Sequence, residues 1–216
     1  MARRLTRFLL FLTVFTALLA WLEGGFDVYL GLYSAAWLVF GIYAMGSLDD
    51  DLARERFSPP EPGADRIALR AIRIVAVAHV VVGALDAGRW HLAPVPVPLR
   101  LIGLGAMLLG SLLVVQSIRA NRFFSSVIRV QTERGHRVVD TGPYRTIRHP
   151  GYLGMVIASL GSGLALGSWL GFALAALYGA LIVRRVFFED AFLKANLAGY
   201  QDYASRVSGR LIPGAW

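Results

Sequence analysis

Long uncharged apolar stretches, separated by short segments that carry the arginines, run along most of the chain. That pattern predicts membrane spans with charged flanks rather than the one-sided stripe of a soluble helix. Phe8 to Leu22 is charge-free for 15 residues and follows Arg3, Arg4 and Arg7. A signal-peptide core has a similar look, but Ala17 to Leu22 offers no small-x-small cleavage site, which favours a retained span. Val28 to Leu48, with 21 uncharged residues, is the clearest span, since a bilayer core about 30 Å thick needs about 20 helical residues. Ile74 to Leu85 supplies only 12. It reaches span length if Ile67 to Ile72 joins it and Arg70 and Arg73 snorkel to the interface. Leu101 to Ile118 is an ordinary span of 18, preceded by Pro94, Pro96 and Pro98, whose alternation with valine predicts an extended connector.

The longest uncharged stretch, Gly151 to Val183, has 33 residues. As one helix it would reach about 50 Å. Gly161, Gly163, Gly167 and Ser168 at its middle predict a hairpin, Tyr152 to about Leu166 and Trp169 to Phe188, and the four-residue spacing of Gly163, Gly167 and Gly171 allows close helix approach. The expected fold is therefore all-α: a polytopic transmembrane bundle of about six spans, including a C-terminal helical hairpin, with a cytoplasmic C-terminal helix. Residues 1–118 would form the N-terminal spans and residues 119–216 an interfacial loop, the hairpin and that last helix.

Of 22 lysines and arginines, only Arg89 and Arg100 fall in loops on the side opposite the termini, so both termini are expected in the cytoplasm. The segment from Asp49 to Arg73 mixes charges around Pro59, Pro60 and Pro62 and reads as a solvated connector. A hydrophobic content of 56% with 17% charge suits a membrane protein, and the net charge of +8 follows from the same arginine flanks, without nucleic acid as a partner. Zero cysteines remove thiolate metal sites and cysteine nucleophiles. The histidines have no metal-ligand spacing, so no metal is expected; His79 reads as a helix-packing residue and His91 as an interfacial one.

Polar chemistry concentrates between Arg119 and Pro150, with seven arginines and two histidines. Phe123, Phe124, Val127, Ile128 and Val130 are interleaved with Arg122 and Arg129, as in a segment lying in the membrane interface, and Gly135 and Gly142 mark turns of a compact loop. Arginines that only hold orientation would look alike, but Tyr144, Arg145, Arg148, His149 and Tyr152 crowd into nine residues where the next helix begins, with Pro150 near its start. A second polar group, Glu189 and Asp190, follows the hairpin. A helix over Glu189 to Tyr203 would align Glu189, Leu193, Asn196, Tyr200 and Tyr203 on one face, on the same side of the membrane as His149. Pairing of the acidic group with Arg184 or Arg185 is the structural alternative to a site.

These residues, Asn121-x-Phe123-Phe124-Ser125, Val130-Gln131, Arg134-Gly135-His136-x-Val138-Val139, Thr141-Gly142-Pro143-Tyr144-Arg145, Arg148-His149-Pro150-x-Tyr152-x-Gly154, then Glu189-Asp190-x-x-Leu193, Tyr200-x-x-Tyr203 and Arg210-x-x-Pro213, resemble the isoprenylcysteine carboxyl methyltransferase family. Phospholipid methyltransferases share its plan. The resemblance covers roughly the last 95 residues and implies an integral-membrane enzyme of a bacterial-type inner membrane using S-adenosyl-L-methionine. His136, Tyr144, His149, Pro150, Tyr152, Glu189, Tyr200 and Tyr203 are then expected to bind the cofactor, and Arg145 and Arg148 to serve catalysis by facing the cofactor carboxylate or an anionic acceptor. Asp190 departs from the family's paired glutamates by one methylene. Membrane lipids and a lipidic or small-molecule acceptor, carboxylate, thiol or amine, are the expected partners, and oligomeric state is left open. A sterol-reductase-like enzyme using NADPH and a non-catalytic scaffold or transporter are the alternatives; the latter lacks its expected mid-span ionisable residues, His79 excepted.

Overall fold

The computed structural model describes residues 2–47, 50–57 and 65–214. Helices α1 (Ala2–Glu23), α2 (Val28–Met45), α3 (Asp50–Phe57), α4 (Arg66–Leu85), α5 (Val97–Ala120), α6 (Pro150–Ala165), α7 (Trp169–Asn196) and α8 (Tyr200–Arg206) build it, with no named strand among the described residues. Five helices are long and apolar enough to cross a membrane, and α6 is a shorter apolar helix of 16 residues. The protein is thus an all-helical polytopic membrane protein. Exposed side chains on α1 such as Leu10, Phe11, Val14 and Trp21 are what lipid contact requires of such a bundle.

The short third span does recruit its flank: α4 is continuous from Arg66, with Arg70 and Arg73 exposed. The hairpin of α6 and α7 turns at Gly167, whose φ of +88° suits glycine alone. An added Cβ would come 2.6 Å from Phe172 Cα at Gly163 and 2.9 Å from Gly83 Cα of α4 at Gly171, so the small residues serve both turn and packing. Helices α5 and α6 also approach closely, where Gly103 and Gly110 face Gly161 and Gly154 with backbone atoms where side chains would be. Mid-bundle, the Ser162 hydroxyl lies 2.8 Å from Tyr33 Oη and 3.1 Å from His79 Nε2, tying α2, α4 and α6 together, so His79 is a packing histidine.

At one end of the bundle the connector is extended through Pro94 to Pro96 and pairs with the hairpin turn, Val95 N donating to Gly167 O and Trp169 N to Ala93 O; Pro98, expected in the same extended stretch, instead sits in the first turn of α5, where its missing N–H costs little. Arg89 there donates to the Leu22 carbonyl, and Arg100 lies over the Tyr29 ring. The arginine-rich loop after α5, α3, the end of α7 and the C-terminal segment gather at the other end. Two expectations need correction there. The acidic pair does not begin a separate helix: α7 runs on through Glu189 to Asn196, and Gly199, with φ +78°, separates it from α8. No glycine or proline interrupts residues 184–196, so nothing breaks the ladder earlier. Nor is the stretch after α2 simply solvated, because α3 buries Leu52 and Glu55 against the rest of the protein. Pro59, Pro60 and Pro62 lie outside the described residues.

Candidate functional site

The arginine-rich loop joining α5 and α6 closes over the bundle end instead of dangling from it. Phe123, Val127 and Ile128 are buried, and Gly135 and Gly142 take the positive φ of the expected turns. Gln131, fully buried, donates to Phe123 O, and its own backbone N–H donates to His136 Nδ1 at 3.2 Å. The His136 ring stacks on Phe123 with centroids 4.5 Å apart. Between this loop, the start of α4 and the facing parts of α6, α7 and α8 lies a cavity of about 350 Å³, within the roughly 300–1,000 Å³ range of small-molecule sites.

Eight of the ten sequence candidates sit at this end as cavity lining: His136, Tyr144, Arg148, His149, Tyr152, Glu189, Tyr200 and Tyr203. Residues 37 apart in sequence meet there, the Tyr152 hydroxyl on α6 donating a short hydrogen bond to Glu189 Oε2 on α7. The other two do not line it. Pro150 is buried at the first position of α6, where its missing N–H costs little, and Arg145 is exposed at the end of a 3₁₀ turn.

Arg148 lines the cavity, but its guanidinium is already engaged. Nε and Nη2 grip the two oxygens of Asp190 at 2.7 and 3.1 Å, and Nη1 donates to the carbonyls of Val207 and Ser208. Asp190 also meets Tyr200 Oη at 3.1 Å, Arg210 Nε at 3.1 Å, Lys194 Nζ at 3.2 Å and, at a longer 3.4 Å, His149 Nε2. Backbone bonds from Arg148 N to Gly209 O and His149 N to Arg210 O strap the C-terminal segment onto the same knot. The expectation that Arg148 greets a ligand carboxylate therefore gives way to a scaffolding role, since a bidentate carboxylate occupies the fork that recognition would need. Glu189, one residue earlier on α7, turns instead into the cavity with Tyr152. It does not pair with Arg184, which is exposed, and Arg185 is ion-paired with Asp65 at 2.9 Å.

Several lining residues escaped the sequence reading. Arg185 is buried, donates to Ser126 O and lies beneath the Tyr152 ring. Arg129 forms a two-pronged pair with Glu55 of α3. Arg185 stands one helical turn before Glu189, a spacing that marks a shared face; Glu55 carried no such signal. The Tyr144, Tyr200 and Tyr203 phenols are pushed above the ordinary tyrosine value by burial, so they stay protonated; Tyr200 donates to Asp190 and Tyr203 to the Tyr144 carbonyl, while the Tyr144 hydroxyl accepts from Asn121 Nδ2.

His136 is pushed down from 6.5 to about 4, by burial first and then by Arg129 and Arg134. It is neutral in the fold at physiological pH, with the Nδ1 lone pair accepting from Gln131. The unfolded chain takes up this proton near pH 6.5, so the stability His136 contributes is whole above that pH, declines between 6.5 and about 4, and is gone below. Thermal unfolding in detergent should show the midpoint falling across that window, and His136→Asn should flatten the fall.

Comparison with known proteins bears on the segment that supplies most of the cavity lining. The phospholipid methyltransferase family model matches residues 99–198. A probable protein-S-isoprenylcysteine O-methyltransferase of Oryza sativa subsp. indica is 30% identical over 113 residues, 51% of this chain and 59% of that one. Protein-S-isoprenylcysteine O-methyltransferase B of Arabidopsis thaliana is 32% identical over 108 residues, 49% of this chain and 55% of that one. The chain thus spans a little over half the length of these curated relatives. The solved structure of the eukaryotic intramembrane Ras methyltransferase, an isoprenylcysteine carboxyl methyltransferase, superposes with a TM-score of 0.57 at 20% identity, covering 94% of this chain and 74% of that one. The chain is a polytopic helical membrane protein similar to the isoprenylcysteine carboxyl and phospholipid methyltransferases, in sequence through the segment that builds the cavity and, to the former, in fold along nearly its whole length.

Proposed function

We propose that the protein is an S-adenosyl-L-methionine-dependent methyltransferase of a bacterial-type inner membrane, with both termini and the cavity on the cytoplasmic side, acting on a lipidic or small acceptor. The observation that carries this reading is the cavity itself, lined by both polar and apolar side chains and largely by residues within the segment that matches the phospholipid methyltransferase family. Glu189, Tyr152 and His136 are among the polar lining, and Leu69, Ile72, Ala76, Met155 and Ile182 among the apolar. Ser126 in the wall has a buried hydroxyl with no protein partner, a free hydrogen-bonding position beside the space.

The polar groups suit the cofactor. The Glu189 carboxylate, steadied by Tyr152, would accept from a ribose hydroxyl or an ammonium, and neutral His136 offers an Nε2–H donor without adding charge. When bound, S-adenosylmethionine supplies an electrophilic methyl on sulfur. The chain's residues need then only bind, align and keep dry, and alignment alone can be worth about 7–11 kcal/mol of barrier. The loop over residues 121–139 covers that end, and the apolar lining residues would accept an acceptor's apolar part. An anionic acceptor would meet Arg73 or Arg137, exposed at the rim, in place of Arg145 and Arg148.

The test is thermal unfolding of the purified protein in detergent with S-adenosylmethionine or NADPH. Saturation at 100 times Kd adds about 2.7 kcal/mol of stability. Stabilisation by S-adenosylmethionine and none by NADPH is expected; the reverse would make the protein a reductase. Labelled S-adenosylmethionine supplied with whole membranes then identifies the acceptor by what becomes labelled.

A further inference from the structure

The charge of the cavity poses a problem that the proposed cofactor makes acute. Five arginines, 73, 129, 137, 148 and 185, line it against a single carboxylate, Glu189. S-adenosylmethionine carries a sulfonium, an ammonium and a carboxylate, one net positive charge, and such a lining would repel it. Arg73 and Arg137 are exposed at the rim, where solvent and salt screen them. Arg148 is answered by Asp190 of the neighbouring helix. The two remaining buried arginines are answered from elsewhere in the chain.

Arg129 meets the exposed Glu133 of its own loop at 2.6 Å, but the buried counter-charges of both arginines come from the connector between α2 and α4, outside residues 99–198. Glu55 of α3, 3% exposed, accepts from Arg129 Nε at 3.2 Å and Nη2 at 2.7 Å, and from Ser125 Oγ at 2.7 Å. Burial alone would raise the Glu55 carboxyl, but the Arg129 and Ser125 bonds hold it below its ordinary value, so it is ionised. Leu52, one turn earlier on the same face, buries into Val114 and Ile118 with Phe124 and Met155 beside it, which seats α3 against the cavity wall. Asp65, immediately before α4, stands 2.9 Å from Arg185 Nε, both side chains buried, paired by charge without hydrogen-bond alignment. Neither carboxylate lines the cavity, so each acts through its arginine.

We infer that Glu55 and Asp65 are positioning residues that neutralise the buried arginines of the cavity and so adapt it to a sulfonium cation. This rests on the cofactor reading above. The N-terminal half would then supply the electrostatic half of a site whose walls come from the C-terminal half.

The discriminating pair of ligands is S-adenosylmethionine and S-adenosylhomocysteine, nearly alike in shape, the second lacking the methyl and its sulfonium charge. Binding of each to the full-length protein in detergent is measured by calorimetry for wild type, Asp65→Asn, Asp65→Glu and Glu55→Gln. One unbalanced charge acting across a partly buried site is worth about tenfold. Asp65→Asn and Glu55→Gln should each weaken S-adenosylmethionine by about that factor, with S-adenosylhomocysteine changed roughly threefold or less; Asp65→Glu should keep the wild-type ratio. Equal weakening of both ligands, or of neither, overturns the inference and makes the connector a packing element only. If Asp65→Asn fails to fold, Glu55→Gln decides by the same ratio. Wild-type protein that binds neither ligand would instead refute the cofactor reading, so the two failures are distinct.

Discussion

Exchange of Glu189 for glutamine should weaken S-adenosylmethionine binding roughly 10- to 100-fold while leaving the fold intact. A hydrogen bond to a charged group contributes about 1.5–3 kcal/mol, and the amide keeps one oxygen for the Tyr152 hydroxyl, so the α6–α7 contact survives. What is lost is a carboxylate able to answer an ammonium or to accept strongly from a ribose. Equilibrium binding of labelled cofactor to detergent-solubilised variant and wild type measures the ratio, with the unliganded unfolding midpoint as the check on folding. Unchanged affinity would remove Glu189 from the site, and Tyr152→Phe, which leaves the carboxylate in place, should cost less.

The neighbouring residue should behave in the opposite way. Asp190→Asn is expected to destabilise the protein by about 3–5 kcal/mol, the usual result of removing one partner from a buried ion pair. Arg148 would remain buried among Val207, Ser208 and a neutral amide, and the links to Lys194, Arg210 and Tyr200 would weaken together. For a protein of this size that corresponds to a fall of roughly 6–20 °C in the unfolding midpoint. Arg145→Ala at an exposed position should shift stability by no more than about 0.5 kcal/mol. An Asp190→Asn variant as stable as wild type would show that the knot is not what holds the C-terminal strap.

That two adjacent acids should have such different roles explains what a one-dimensional reading misses. Along the chain Glu189 and Asp190 are simply a pair beside an apolar span. On α7 they point about 100° apart, one toward Tyr152 and the cavity, the other toward Arg148 and the C-terminal strap. Arg145 and Arg148 are likewise equivalent in a motif, yet the 3₁₀ turn at Gly142–Arg145 leaves the first exposed while Arg148 is drawn inward. The charged connector misled for a related reason: with few apolar residues α3 has no stripe to betray it, and only the complementary wall makes Leu52 and Glu55 inward-facing.

Features that depend on local composition were legible without coordinates. Bilayer thickness converts uncharged length into spans, glycine at the middle of an overlong stretch forces a turn, and arginine distribution separates the two ends, because each is a property of contiguous residues. Which charges are free and which are spent was decided by folding alone. Glu55, Asp65 and Asp190 each find their arginine 40 or more residues away, and a buried charge takes its role from the partner that the packed helices set beside it.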